Sequence, residues 1–284
     1  MKKLLLAACI FPLLSQAQNF HFSARAGIAS YQGDLKAKAM SLSQSKPMGS
    51  IGARYDLSTH LTLRTYLTLA SLAGDDKKGT ASMRDRNLNF KTSLFDWEGG
   101  IQYNFFDLNY KWWTPYAFAG IGLFHFNPFT RDPNGEKTFL RPLSTEGQGV
   151  VDGVKPYSLT QFSIPLGFGA ERMLNEDMRV GLEVGYRKIF TDYLDDVSGT
   201  YITESVLLAA RGPKAVELAY RGDEVHTNPY PTNGTARGNP KLDDGYFYIG
   251  VTFTLRFYFD KYKQIAGLPS SKRDKKVGCP ATRY

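Results

Sequence analysis

Hydrophobic and polar positions alternate with a period of two in eight separate stretches of the chain. From Phe20 to Tyr31 the even positions read Phe20, Phe22, Ala24, Ala26 and Ile28, with His21, Ser23 and Arg25 between them. Gly49, Ile51, Ala53, Tyr55 and Leu57 alternate with Arg54 and Asp56, and Leu61, Leu63, Thr65, Leu67 and Leu69 alternate with Arg64 and Tyr66. A fourth stretch sets Phe95, Trp97, Ile101, Tyr103 and Phe105 against Asp96, Glu98, Gln102 and Asn104. A fifth places Tyr116, Phe118, Phe124 and Phe126 on one face, and a sixth does so with Phe162, Ile164, Leu166 and Phe168. Met178, Val180, Leu182, Val184 and Tyr186 oppose Arg179, Glu183 and Arg187 in the seventh. The eighth is the clearest, with Phe247, Ile249, Val251, Phe253, Leu255, Phe257 and Phe259 against Tyr246, Thr252, Thr254, Arg256 and Tyr258. Alternation of this kind predicts eight strands.

Charge decides what the apolar faces touch. None of the positions assigned to those faces is Asp, Glu, Lys or Arg, although these types make up 22% of the chain. A charge facing hydrocarbon at mid-bilayer costs about 2–4 kcal/mol, so a lipid solvent enforces such emptiness. A soluble β-sandwich also has apolar faces, turned inward. Two features favour the membrane. Aromatics (Tyr55, Phe95, Phe105, Tyr116, Phe126, Tyr186, Phe259) gather at the segment ends, where a barrel places its interfacial girdles. The connections also alternate in length, roughly 3, 10 and 6 residues on one side and roughly 17, 23, 33 and 58 on the other, as a barrel with both ends in the periplasm requires. The expected fold is all-β: an eight-stranded antiparallel up-and-down transmembrane β-barrel with short periplasmic turns and long extracellular loops.

The first residues read as a sorting signal. Lys2 and Lys3 precede an apolar run from Leu4 to Leu14 that is too short to span a bilayer, and Ser15-Gln16-Ala17 supplies small residues for cleavage. Leu6-Ala7-Ala8-Cys9 offers a lipoprotein box as the alternative, but the apolar core before Cys9 is short and continues past it. The expected division is a signal peptide over 1–17, a barrel over 18–259 and a basic periplasmic tail over 260–284. Removing the signal takes two lysines and no acids, which lowers the formal net charge from +8 to +6. It also leaves Cys279 as the sole cysteine. One thiol builds no internal disulfide framework. No later stretch is apolar for long enough to be a transmembrane helix. The expected location is the outer membrane of a Gram-negative envelope, with its lipid as the first partner.

The faces opposite the apolar ones carry Arg25, Arg54, Arg64, Arg179, Arg187 and Arg256 together with Asp56, Asp96, Glu98, Glu171 and Glu183. An eight-stranded lumen is wide enough only for side chains to fill it. An unpaired buried charge is expensive, so these near-balanced groups are expected to pair and plug the barrel. Arg25, Arg64, Asp96, Glu98, Glu183, Arg187 and Arg256 are the candidate network.

A series of motifs carries a family resemblance. Tyr31-Gln32-Gly33-Asp34-Leu35 follows the first strand, and Ala73-Gly74-Asp75-Asp76-Lys77 the third. Arg84-Asp85-Arg86-Asn87-Leu88-Asn89-Phe90 leads into the fourth, which ends Tyr103-Asn104-Phe105-Phe106. Thr114-Pro115-Tyr116-Ala117-Phe118-Ala119-Gly120-Ile121-Gly122, Phe126-Asn127-Pro128 and Arg141-Pro142-Leu143-Ser144-Thr145-Glu146-Gly147-Gln148-Gly149 come next. Ile164-Pro165-Leu166-Gly167 and Phe190-Thr191-Asp192-Tyr193-Leu194-Asp195-Asp196-Val197-Ser198 complete the series. In this order, over most of residues 20–260, it resembles the PorG-like outer-membrane barrel family of the type IX secretion system. The resemblance implies a non-enzymatic barrel that anchors or stabilises the secretion machinery through periplasmic contacts, with a secretion-ring lipoprotein or its companion as partner. The alternative is a small surface barrel whose long loops act in adhesion or binding.

Individual residues add sharper expectations. Cys279 lies in an oxidising compartment, where a leftover cysteine pairs with another chain or stays an inert thiol. Lys272, Arg273, Lys275 and Lys276 make the tail a partner-contact arm, or else a solvated end. Nucleic acid is excluded by compartment. Asp192, Asp195 and Asp196 offer oxygens to calcium, but they lack the spacing of a dedicated loop, and an architectural role at the base of the longest loop is favoured. Among His21, His60, His125 and His226, His125 is expected to face inward near the outer mouth. No G-x-S-x-G, H-E-x-x-H or Walker pattern accompanies it. The sequence therefore implies no catalytic site, no metal, no cofactor and no small-molecule substrate.

Overall fold

The computed structural model describes residues 20–37 and 41–257. The signal segment, the tail with Cys279, Lys272, Arg273, Lys275 and Lys276, and Phe259 lie outside the described residues. Ten strands form: β1 (Phe20–Gln32), β2 (Lys46–Asp56), β3 (Leu61–Asp75), β4 (Asn89–Asn104), β5 (Trp113–His125), β6 (Phe129–Arg131), β7 (Lys137–Phe139), β8 (Thr160–Met173), β9 (Met178–Ile189) and β10 (Gly245–Arg256). Eight of them close a ring. Each pairs antiparallel with its neighbours in chain order, and β10 returns to β1 with Phe22 opposite Leu255 and Ile28 opposite Ile249. Closure leaves no unpaired edge, as hydrocarbon demands. The short β6–β7 hairpin hangs from β4 through Lys91 and Phe129.

Alternation sets the two faces. Ile51, Leu67, Leu69, Phe162, Phe168, Leu182 and Val251 point outward and are exposed, while Arg25, Arg64, Glu98, Glu183 and Arg187 point inward and are buried. A ring this small coils tightly. Gly100 sits opposite Gly120 in the β4–β5 register. A Cβ on Gly100 would meet the Ala119 carbonyl oxygen at 2.4 Å, and one on Gly120 the Gly99 carbonyl oxygen at 2.3 Å. Only glycine lets the two backbones pass so closely.

One strand is phased opposite to expectation. Tyr116, Phe118, Phe124 and Phe126 are buried inside, and Ala119, Ile121, Leu123 and His125 face outward. Both faces of β5 are apolar, so hydrophobicity alone favoured the larger side chains for the lipid. The lumen needs volume here instead: the Arg64 guanidinium stacks on the Phe118 ring, 3.9 Å from its centroid. Tyr116 and Phe126 consequently leave the expected girdle. Exposed Tyr103, Phe105, Trp112 and Trp113 stand near the periplasmic rim.

The periplasmic connections are short, at 57–60, 105–112 and 174–177. The outer connections span 33–45, 76–88, 126–159 and 190–244. β3 and β4 run on past the bilayer level and pair as far as Asp75 with Asn89, so the second outer connection is shorter than the sequence pattern suggested. It contains helix α1 (Ala81–Arg86), whose Thr80 hydroxyl accepts from the Met83 N–H and caps its start. The fourth carries α2 (Glu204–Arg211) and α3 (Pro213–Ala219).

Candidate functional site

The lumen holds the first constellation. Glu183 on β9 is its hub. Its carboxylate accepts from Arg25 at 2.5 Å, from Arg64 at 2.8 and 2.9 Å, from the Tyr116 hydroxyl at 2.8 Å and from the Tyr248 hydroxyl at 2.5 Å. Arg64 also reaches Glu98 at 3.1 Å. Towards the outer mouth Arg187 pairs with Asp96 at 3.0 Å and with Glu98, and the Tyr246 hydroxyl donates to Asp96 at 3.1 Å. Towards the periplasm Arg54 meets Glu171 at 2.6 Å, and Arg179 reaches Asp56 at 3.0 Å. The Tyr66 ring lies under three guanidiniums, those of Arg25, Arg54 and Arg64, at 4.6, 5.8 and 4.9 Å. Stacking of this kind holds arginines that hydrogen bonds alone would leave loose.

Six of the seven named lumen residues are thus brought together. Arg256 is not: it sits half-buried at the periplasmic end of β10, outside these ion pairs. The tyrosines 66, 116, 246 and 248 complete the network, and sequence reasoning did not assign them to it. The signal for Tyr66, Tyr246 and Tyr248 was positional, since each shares a strand face with a charged residue, whereas Tyr116 has no charge on its face of β5 and reads first as a girdle residue.

Above this layer the filling turns apolar and continues into the outer connections. Phe124, Phe126, Tyr157 and Tyr193 stack in a column, with Phe126–Tyr157 centroids 6.2 Å apart and Tyr157–Tyr193 centroids 4.9 Å apart. Leu35, Leu72, Leu88, Phe90, Leu140, Leu194 and Val197 pack around it. All four outer connections contribute, so they form one cap with its own core.

A second set of charges ties the cap together. Arg86 donates to Asp76 at 2.8 and 2.9 Å, to the Asp34 carbonyl at 2.9 Å and to the Arg237 carbonyl, which joins three connections. Glu146 accepts from the Ser198 and Gly199 N–H groups at 2.9 Å each and from Arg237 at 3.0 Å. Asp196 accepts from Thr145 at 2.6 Å and from Tyr157 at 2.7 Å. Tyr31, at the top of β1, donates to Asp195 and lies 3.2 Å from Asp244, while Asp244 accepts from the Leu194 N–H at 2.9 Å. Asp192 is buried with neither carboxylate oxygen in a hydrogen bond.

Burial governs the titration of these acids. It pushes Asp195 and Asp244 well above the ordinary carboxylate range, aided at Asp244 by the neighbouring Asp195 and Asp192 charges. Burial also raises Asp192 to about 7, only partly offset by nearby Ser198, and Asp196 to about 6 against the opposing pull of Arg237. Among the described residues no group of three or more His, Cys, Asp or Glu side chains converges as a metal site. The aspartates 192, 195 and 196 share no common partner: Asp195 and Asp196 brace separate parts of the cap, while Asp192 is buried without a hydrogen bond.

The histidines sit apart from this cluster. His125 faces outward, contrary to expectation, and its Nδ1 meets the Thr160 hydroxyl at 3.0 Å. His226 pairs with Asp85 at 2.9 Å on the surface, and His21 lies 3.7 Å from Asp56 in the lumen. The inversion of β5 turns His125 away from the lumen, where the sequence pattern had placed it.

The sequence matches the model of the outer membrane protein beta-barrel domain over residues 4–207. Among curated proteins none matches. Solved structures that align with it include Neisserial surface protein A, with 12% identity, 84% of this chain and 97% of that one covered, and a TM-score of 0.41. OprG from Pseudomonas aeruginosa aligns with 12% identity over 85% and 97%, TM-score 0.42. Ail, the attachment invasion locus protein of Yersinia pestis, aligns with 9% identity over 84% and 99%, TM-score 0.37.

Proposed function

Starting from the premise that the chain belongs to the outer membrane protein beta-barrel domain family and sits in the Gram-negative outer membrane, we propose that it is a sealed, non-enzymatic barrel that anchors the type IX secretion machinery. The observation that carries this reading is the convergence of its motifs. Tyr31 and Asp34, Asp76 with Arg84–Phe90, Arg141–Gly149 and Phe190–Ser198 are far apart in the sequence and carry the PorG-like resemblance. They meet in the cap through Tyr31–Asp195, Arg86–Asp76 and Glu146–Ser198. What resembles that family is therefore one built object rather than scattered short matches. On this reading the barrel is a membrane post, the cap closes its outer mouth, and residues 260–284 meet a periplasmic secretion-ring lipoprotein or its companion, to which Cys279 would form a disulfide.

The lumen supports a structural task. A file of buried ion pairs runs across the bore from Asp56 to Asp96. Trimming residues 262–284 is expected to abolish co-purification of the periplasmic partner from mild detergent and to impair secretion, while the barrel still folds. Undiminished secretion and an unchanged set of co-purifying proteins after trimming would sink the anchoring role.

Adhesion is the second reading, and the ordered cap favours it. A recognition surface benefits from loops held rigid before binding. Replacing residues 200–240 by a short linker is expected to remove surface binding without loss of secretion.

A further inference from the structure

A cleft on the outer rim belongs neither to the lumen nor to the cap core. It has a volume of about 380 Å³ and opens between the end of the first outer connection, the tops of β3 and β4, and the β6–β7 hairpin. That is within the size range of small-ligand sites. Lys46, Lys78, Lys91 and Arg131 line it, with Asp75 as the only carboxylate among its lining residues. Among the described residues none of these four cations is in an ion pair. One oxygen of Asp75 accepts from the Lys77 N–H at 3.0 Å, and its single charge against four cations leaves the lining with a formal excess of three positive charges.

The walls are fixed before any ligand arrives. Thr130 donates to the Asn89 side chain at 2.7 Å, and Arg221 holds the Arg131 carbonyl at 3.1 Å. Lys91 and Phe129 face each other across the only pairing between β4 and β6. The Ser45 hydroxyl, in the wall, is buried without a hydrogen-bond partner, and such a donor is costly to leave unmet. Phe129 also lines the cleft, and the Lys137 ammonium lies 4.1 Å from its ring centroid, which brings a further cation to this wall.

Four cations without a carboxylate partner, of which Arg131 donates only to the Gly135 carbonyl at 2.6 Å, and an unmet hydroxyl define a ligand that is anionic and rich in hydrogen-bonding oxygens. We propose that this cleft binds a sulfated or phosphorylated sugar. Lys91 lies four residues beyond the lipid-facing Phe95 on the same face of β4, roughly 13 Å further along the strand at 3.3 Å per residue. That height suits two sources of the same chemistry: the phosphorylated sugar of an outer-leaflet glycolipid, and a free anionic polysaccharide. The proposal stands whether or not the secretion reading does, because its test compares charge-matched variants that all keep the same tail.

The test uses the full mature chain in detergent micelles. Dextran sulfate and plain dextran are titrated calorimetrically, and a bis-phosphorylated glycolipid is added for native mass spectrometry. Wild-type protein is expected to bind dextran sulfate in a salt-sensitive manner, or to retain the glycolipid, or both, and which of these occurs names the source. The triple variant Lys46→Gln/Lys78→Gln/Lys91→Gln is expected to bind about tenfold more weakly or worse, the scale of three partly exposed charge contacts. Ser45→Ala is expected to weaken binding by a smaller factor. The matched variant Lys111→Gln/Lys155→Gln/Lys241→Gln, which removes equal charge outside the cleft, is expected to bind as wild type. The proposal is overturned if wild type binds neither anion, if plain dextran binds equally well, if the cleft variant is unchanged, or if the matched variant loses as much.

Discussion

Glu183 in the lumen and Asp195 in the cap are both acids almost wholly out of water, yet their surroundings differ in kind. Glu183 meets two guanidiniums and two phenols. Asp195 meets one phenol, a backbone N–H and, through Tyr31, a second buried acid in Asp244. Lumen carboxylates are matched charge for charge because water cannot enter from the sides. The cap has ion pairs too, Arg86–Asp76 and Arg237–Glu146, but its aspartates 192, 195, 196 and 244 lean on hydroxyls and amides or on nothing, and burial raises them towards the protonated form. The lumen is built on ion pairs and the cap on ion pairs plus retained protons, so the two should fail under different insults.

Disarming the hub tests this most severely. Glu183→Gln strands Arg25 and Arg64 without their main counter-charge, and breaking a buried pair in this way costs about 3–5 kcal/mol. The expected outcome is a lower urea midpoint for the whole barrel in micelles, read as loss of the heat-modifiable folded band. The matching cut in the cap is Arg237→Ala, which leaves Glu146 and the Asp196 carbonyl short of a donor. It is expected to cost about 1–3 kcal/mol and to act locally, with faster proteolysis within 190–244 while the barrel band persists. Global unfolding by Arg237→Ala would erase the distinction between the layers.

Acidity separates them further. Asp192 and Asp196 have folded-state values of about 7 and about 6, above the ordinary 3.8 of an unfolded aspartate. Groups raised in this way bind protons more tightly when folded. Their stabilisation is complete below the ordinary carboxylate range and is lost as pH rises through about 6 to 7. Hydrogen exchange in 190–244, corrected for intrinsic rates, is therefore expected to quicken between about pH 5 and about pH 8, and exchange in β9 to stay level. Asp192→Asn carries no charge at any of these values. It is expected to blunt the cap response by the smallest margin of the four changes, visible as residual protection at the higher pH.

The sequence made the barrel legible because one physical rule, period two with a charge-free face, repeats in β1 to β4 and β8 to β10. The same rule misread β5, where Ala119 and Ile121 are apolar enough for lipid and Phe118 and Phe124 are large enough to fill the bore. Alternation reports two faces but not which one is outside when neither is polar. Inward arginines and acids could be counted, and a narrow lumen implied that they would pair, but which partner each takes, and that Arg256 stays outside the ion pairs, could not be read. The cap could not be read that way. Tyr31 and Asp195 are 164 positions apart, and Tyr31 and Asp244 are 213 apart; no local period links them. The basic cleft was equally hidden, because Lys46, Lys78, Lys91 and Arg131 look like ordinary surface charges until the start of β2, the second outer connection, the top of β4 and the β6–β7 hairpin bring them to one rim.

The Tyr31–Asp244 contact has a further meaning for biogenesis. Tyr31 tops the first strand and Asp244 immediately precedes the last, so the phenol straddles the seam where the two ends of the sheet join. A chain inserted with that seam open would hold the fourth connection away from Tyr31. An antibody raised to the assembled crown would then stain only cells whose barrels have zipped shut, which makes the outer surface a gauge of completed insertion.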